Sequence, residues 1–260
     1  MKHTIGALVL GLCLSGSPAL ASPVMYVHDS GGELGTVDVS TGAVTLIGNM
    51  GVIMTDIAFD TSGQLYGVSF SNLYSINAGT AAASLIGAHG IAGGNALVFG
   101  SDGTLYGAGN ASTSLFTINA GTGASAAVGN MGFFSGGDLA FNGGSFYLAS
   151  SSNQLVRVNP TTGAGSLVGS FGVANMFGLA TGDDGVLYGV AGTTIYMVNT
   201  STGAATNPVP FGGHGLGQAF GESFFHEAAA VPEPGTLTLL GIGVAAAWRA
   251  RAGRSRVGRG

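Results

Sequence analysis

Five tyrosines, Tyr26, Tyr66, Tyr106, Tyr147 and Tyr188, follow one another at intervals of 40, 40, 41 and 41 residues. The text around them is copied with them. "DIAFDTSGQLYGVSFSNLYSINAGTAAASLIG" from Asp56 is matched by "ALVFGSDGTLYGAGNASTSLFTINAGTGASAAVG", "DLAFNGGSFYLASSSNQLVRVNPTTGAGSLVG" and "GLATGDDGVLYGVAGTTIYMVNTSTGAAT". A repeat of this period constrains the fold more than any composition. Each copy is one small unit that cannot bury its own apolar faces and must stack on its neighbours.

Within a copy, four short runs of β-branched, aromatic or alternating apolar residues are separated by turn residues, which predicts four strands, A to D. In the second unit they are Asp56–Asp60, Leu65–Ser69, Leu73–Asn77 and Ala83–Gly87. The C–D turns read "DVSTGA", "NAGTAA", "NAGTGA", "NPTTGA" and "NTSTGA". Their leading Asp38, Asn77, Asn119, Asn159 and Asn199 suit side-chain acceptance of turn amides two residues on. Gly42, Gly123, Gly163 and Gly203 suit a left-handed backbone, and Ala81 breaks that pattern once. Four strands in about forty residues, five times over, predicts an all-β fold, a five-bladed β-propeller. A stacked solenoid is the alternative. The blade pattern also resembles NHL-like and related bacterial propellers.

Ring closure is read less sharply. The chain enters on a B-like strand, "VMYVHD", and Leu216 to Phe220 offers an A-like strand to complete the first blade and hide two edges. The following "SFFHEA" resembles "SFYLAS" and supplies a spare B candidate, so the displaced terminal segment stays open. The repeated aromatics should pack between blades, Tyr106 among them.

In such a ring the A strands line the axis. Their position three before the "DIAF" phenylalanine reads Asp56, Ala96, Asp138, Gly178 and Gly217. Asp56 and Asp138 are therefore the candidate axial pair. They could cap loop amides, bind a cation in the channel, or work as an acid/base pair of the glycosidase kind. The residues quoted for the B–C side add no further Glu, Arg or His. The D–A loops gather Met50, Met54, Met131, Phe133, Phe134, Phe171, Met176, Phe177 and Phe211, which either form an exposed apolar rim or fold inward and plug the ring. His89 and His214 stand at unequal offsets in those loops and do not suggest shared metal ligation. His28 and His226 fall on competing B-like segments and are expected at the surface. Asp183-Asp184-Gly185 reads as turn chemistry, and no fingerprint of a known hydrolase, zinc protease or nucleotide site occurs. No cofactor and no metal ligand set is assigned.

The two ends carry an address. Lys2, the apolar run Ile5 to Leu14 and Ala19-Leu20-Ala21 before Ser22 have the grammar of a signal peptide, which makes residues 1–21 a leader and removes Cys13, the sole cysteine. At the other end Val231-Pro232-Glu233-Pro234-Gly235 precedes the apolar stretch Leu237 to Trp248, expected as a short hydrophobic helix. Arg249, Arg251, Arg254, Arg256 and Arg259 follow, five of the seven basic residues. That stretch is short for a bilayer core of about 30 Å, but flanking arginines can snorkel and remain cytoplasmic, with Trp248 at the interface. Pro232-Glu233-Pro234, the apolar segment and the arginine cluster, in that order, resemble the PEP-CTERM sorting signal of Gram-negative bacteria. The resemblance implies an exosortase that cleaves near the tripeptide, a transient inner-membrane anchor, and release or attachment at the cell surface. Residues 22–230 are then the propeller domain and 231–260 the sorting signal.

With both ends set aside, eleven acids face Arg157 alone and the net charge becomes −10, against −5 for the whole chain. Nucleic acid, whose phosphates need Lys and Arg, is excluded as a partner, and so is lysine base or Schiff-base chemistry. The sequence thus points to an exported, non-catalytic binding or structural module. Export machinery and exosortase are its processing partners, and an exopolysaccharide or a surface protein its further partner. The competing reading is an extracytoplasmic hydrolase or lyase acting on sugar or lactone through Asp56 and Asp138.

Overall fold

The computed structural model describes residues 23–227. Ala19, Ala21 and Ser22, the tripeptide Pro232-Glu233-Pro234, the expected hydrophobic helix, and Trp248, Arg249, Arg251 and Arg254 lie outside the described residues.

The described residues form five four-stranded antiparallel sheets and contain no helix. Blade 1 holds β1 (Val24–Asp29), β2 (Glu33–Asp38) and β3 (Val44–Asn49). Blade 2 follows with β4 (Asp56–Phe59), β5 (Leu65–Val68), β6 (Asn72–Ile76) and β7 (Ala83–Ala88). Blade 3 comprises β8 (Gly94–Phe99), β9 (Leu105–Gly109), β10 (Ser112–Ile118) and β11 (Ser125–Asn130). Blade 4 comprises β12 (Ser135–Asn142), β13 (Ser145–Ser150), β14 (Gln154–Val158) and β15 (Gly165–Ser170). Blade 5 has β16 (Met176–Thr181), β17 (Leu187–Ala191), β18 (Thr194–Val198) and β19 (Ala205–Pro210). The last strand, β20 (Ala219–Phe224), returns to blade 1 and pairs antiparallel with β1, giving the order β20-β1-β2-β3.

A composite first blade is thus what closes the ring, but the closing segment differs from expectation. The strand is Ala219–Phe224 rather than Leu216–Phe220, and "SFFHEA" is not a spare B strand: Ser223 and Phe224 finish β20 and residues 225–227 turn away. The reason is aromatic register. Tyr188 of blade 5 packs on Phe224 with ring centroids 5.6 Å apart, the contact that Tyr26 makes with Phe59 at 4.9 Å and Tyr66 with Phe99 at 5.3 Å. Phe220 instead stays at the opposite end of the strand, 6.3 Å from Phe177. Tyr106 meets Phe146 of blade 4 at 4.8 Å. Only the seam between blades 4 and 5 lacks this pair. There Asn142 Nδ2 donates to Thr181 Oγ1 and to the Gly185 carbonyl.

The apolar core divides into five clusters, one per blade–blade seam. Stacked sheet faces with few charges hold the ring through the hydrophobic effect. Each outer strand breaks register with its neighbour at the equivalent place, at Leu34/Gly35, Leu73/Tyr74, Leu115/Phe116, Leu155/Val156 and Ile195/Met197. Such bulges increase twist. The C–D turns behave as their chemistry predicts: Asn119 Oδ1 accepts from Gly121 N and Thr122 N, both at 3.0 Å, and Gly123 takes φ 81°. Ala81 adopts the same left-handed conformation, φ 62°, despite its side chain.

Candidate functional site

Aligned by register, the ring of positions at the start of the inner strands is Asp56, Ala96, Asp138, Gly178 and Gly221, the last replacing the expected Gly217. Asp56 and Asp138 are completely buried. Each caps backbone. Asp56 accepts from Ile57 N at 2.8 Å and, across the seam, from Leu97 N at 2.6 Å. Asp138 accepts from Leu139 N at 2.6 Å and from Leu179 N of the next blade at 2.8 Å. The two carboxyls are also neighbours at the axis, each acting on the ionisation of the other. Two buried carboxyls side by side disfavour each other's ionised form. Burial first, and then the neighbouring carboxyl for Asp138, holds both Asp56 and Asp138 well above the ordinary carboxylate range.

Three further ionisable groups join this axis, none of them placed there from the sequence. Glu222 of β20 is 1% exposed, and neither carboxyl oxygen has a hydrogen-bond partner. Burial first, then Asp138 and Glu227, pushes it well above the ordinary range, so it is a neutral acid. Its carboxyl fills the space above Gly178, where any Cβ would collide with Oε2. Glu227 is also buried; its Oε1 accepts from Thr181 N at 3.1 Å and its Oε2 from Ser223 Oγ at 2.9 Å, and burial raises its pKa to about 8. Residues 225–227 thereby cross the A–B end of the axis. Phe225 packs on Phe59 at 5.2 Å, and His226 Nδ1 stands 3.4 Å from Asp183.

His28, expected at the surface, is fully buried, with both ring nitrogens unpartnered. It sits on β1, the second strand of its blade, whose two faces are covered by neighbouring sheets. Desolvation lowers its pKa to about 4. A Cβ on Gly221 would stand 2.8 Å from His28 Nε2 and against Asp56 Oδ1, so the glycine keeps imidazole and carboxyl side by side. The signal for Glu222 was one frame-shift away: aligning Phe224 rather than Phe220 puts "GESF" opposite "DIAF". Nothing local marked His28. Among the described residues no three His, Asp or Glu side chains converge as metal ligands.

One position above the carboxyl ring, the inner strands present Thr55, Asn95, Gly137, Phe177 and Phe220. With Phe70, Asn110 and Gly136 they line a mouth of about 200 Å³ at the D–A and B–C end of the axis. Asp56 and Asp138 do not reach its wall. One side is aromatic: Phe70 is 55% exposed, and Phe177 meets Phe220 edge-on. The other side is polar, and Asn95 Oδ1 there is buried without a partner. A second hollow of about 200 Å³ continues from it over blades 4 and 5, past Ser151, Asn153 and Asn175.

The apolar loop residues do not plug this mouth. Met50, Met54, Met131, Phe171, Met176 and Phe211 are buried in the seams between blades, because each D–A loop crosses back over a seam. Phe133 is half-buried, Phe134 is exposed, and Phe177 alone of the group lines the opening. His89 is buried and structural, its Nε2 3.0 Å from the Ser69 carbonyl and its Nδ1 accepting from Ile91 N, while His214 is exposed. Asp184 serves its hairpin turn, accepting from Val186 N and from the Tyr188 hydroxyl at 2.8 Å.

Residues 230–252 match the PEP-CTERM protein-sorting motif. The chain carries a PEP-CTERM sorting signal. Such a signal marks an exported protein, anchored through its C-terminus, processed by exosortase and carried to the cell surface. No curated protein matches the sequence. Among solved structures, the fold is similar to a chain of "Crystal structure of Nidogen/Laminin Complex" (TM-score 0.56, 12% identity, 80% of this chain and 82% of that one). It is also similar to a chain of "The de novo evolutionary emergence of a symmetrical protein is shaped by folding constraints" (TM-score 0.50, 19% identity, 79% and 95%). At these identities the likeness is one of fold alone.

Proposed function

We propose that this PEP-CTERM protein is a non-catalytic binding module held at the cell surface or in the extracellular matrix, with its axial mouth turned outward. The observation that carries this is the placement of the two ends of the axis. The sorting motif begins at residue 230, just after Glu227 has crossed the A–B end. Pro23, at the start of the described chain, lies at that same end, its carbonyl accepting from Val39 N. Attachment through the C-terminus therefore leaves the mouth on the far face. The acid pair supports a structural role: it is sealed from the mouth and its oxygens are used on backbone amides. A hydrolase or lyase working through Asp56 and Asp138 would need both carboxyls open to substrate.

The test uses the absence of cysteine after the leader. A single thiol is introduced at Ser151, on the mouth face, or at Thr61, at the opposite end, and intact cells are treated with a membrane-impermeant maleimide. Ser151→Cys should label readily and Thr61→Cys more slowly. The C-terminal peptide of the native protein should lack Arg259. Failure of Ser151→Cys to label, or a mature chain retaining Arg259, would overturn the reading.

A further inference from the structure

Resting on that reading, we infer that the mouth is a binding site for a neutral sugar chain. The argument is one of complementary surfaces. Neither the mouth nor the hollow that continues from it is lined by an Asp, Glu, Lys, Arg or His. A charged ligand would lose its hydration there and find no counter-charge. A wholly apolar ligand would cover the exposed side-chain amide of Asn110 and offer it no hydrogen bond. A sugar ring offers what both walls need: an apolar C–H face to lie on Phe177 and Phe220, and hydroxyls at its edge to pair with Asn110 and to pack on the Asn95 amide. The opening, about 200 Å³, is smaller than the ~300–1,000 Å³ of drug-sized sites, so it takes one ring. The second hollow shares Asn95, Asn110 and Phe177 with the first and adds Asn153 and Asn175, which gives the next unit of the chain a place. The ligand class is therefore an uncharged oligo- or polysaccharide, bound through stacking and amide hydrogen bonds.

Isothermal titration of the mature exported protein with hexasaccharides of glucose and of N-acetylglucosamine, beside a hexamer of guluronate, tests this. At least one neutral hexasaccharide should bind and the uronate should not. Phe177→Ala and Asn95→Leu should each weaken that binding about tenfold or more, as loss of a central contact does, while Phe177→Tyr should retain it. Should a substituted protein prove unfolded, amide chemical-shift changes in the wild type must still centre on Asn95 and Phe177. The inference is overturned if no neutral hexasaccharide binds, if the uronate binds as well, or if binding ignores both substitutions. Its failure is separable from that of surface display. Labelling of Ser151→Cys on cells, with no neutral sugar bound by the unlabelled wild-type protein, removes only the ligand. Sugar binding that depends on Phe177, in a chain that fails to label, removes only the display.

Discussion

Glu222 occupies space that only a glycine across the seam leaves open. Gly178→Ala should force the Glu222 carboxyl to move within a packed axis, at a cost of about 1–3 kcal/mol typical of overpacking. Thermal melting should show the loss, and adding Glu222→Ala should restore most of it. If the double variant melts as low as the single one, the two side chains are not in contact. The same carboxyl has two buried, unpartnered oxygens. Replacing it by an apolar group of similar reach, Glu222→Leu, should stabilise the protein by about 1 kcal/mol or more at neutral pH, since an orphaned buried polar group is removed. A lower melting temperature for that variant would point to a polar partner for Glu222.

At the scale of elements, β20 is the strand on which the ring depends. It pairs with β1 through Met25↔Phe224 to His28↔Gly221 and covers the edge that β1 would otherwise expose. A chain ending at Gln218 should lose cooperative folding, whereas one ending at Ala230 should melt as the mature protein does. Circular dichroism melts of the two distinguish these outcomes, and a cooperative transition in the shorter chain would show that the seams alone suffice. The Tyr–Phe contacts make a second test. Tyr106→Asp places a charge against Phe146 in a seam where Tyr106 is 9% exposed, and should lower the melting temperature by several degrees, through lost packing and burial of a charge. An unchanged melting temperature would count against the seam.

For the molecule as a whole, the axis makes stability depend on pH in an unusual direction. Asp56, Asp138, Glu222 and Glu227 are raised by burial, Glu227 to about 8, so the folded ring holds protons that the unfolded chain releases near pH 4–4.5. The folded state then binds more protons than the unfolded one through the neutral range, and stability falls as pH rises from about 4.5 through 8. His28 acts oppositely. Held neutral down to about 4, below the ordinary 6.5 of a histidine, it withdraws stability as pH falls through that interval. Four acids outweigh one imidazole, so the melting temperature should be higher at pH 5.5 than at pH 8.5. A melting temperature that climbs over this range would mean that the axial acids are ionised in the folded protein.

The five strand-and-turn copies, the Asp or Asn that opens each C–D turn and the sorting address were all legible from the chain. They rest on interactions between residues close in sequence: alternation along a strand, a side chain reaching an amide two residues on, and an ordered run of proline, apolar and arginine residues. Asp56 and Asp138 were legible as an axial pair because the repeat places them at equivalent points of two blades. The register of the closing strand was not. Phe220 and Phe224 are both aromatic and both follow short runs a strand could use. The choice falls to Tyr188, which needs a ring to pack on after the chain has gone once round the axis. That one decision carries Glu222 and Glu227 into the interior, sets Gly221 against His28, and leaves Phe220 at the mouth beside Phe177. Contacts that exist only when the ring is closed decided the chemistry of the axis and the shape of its opening.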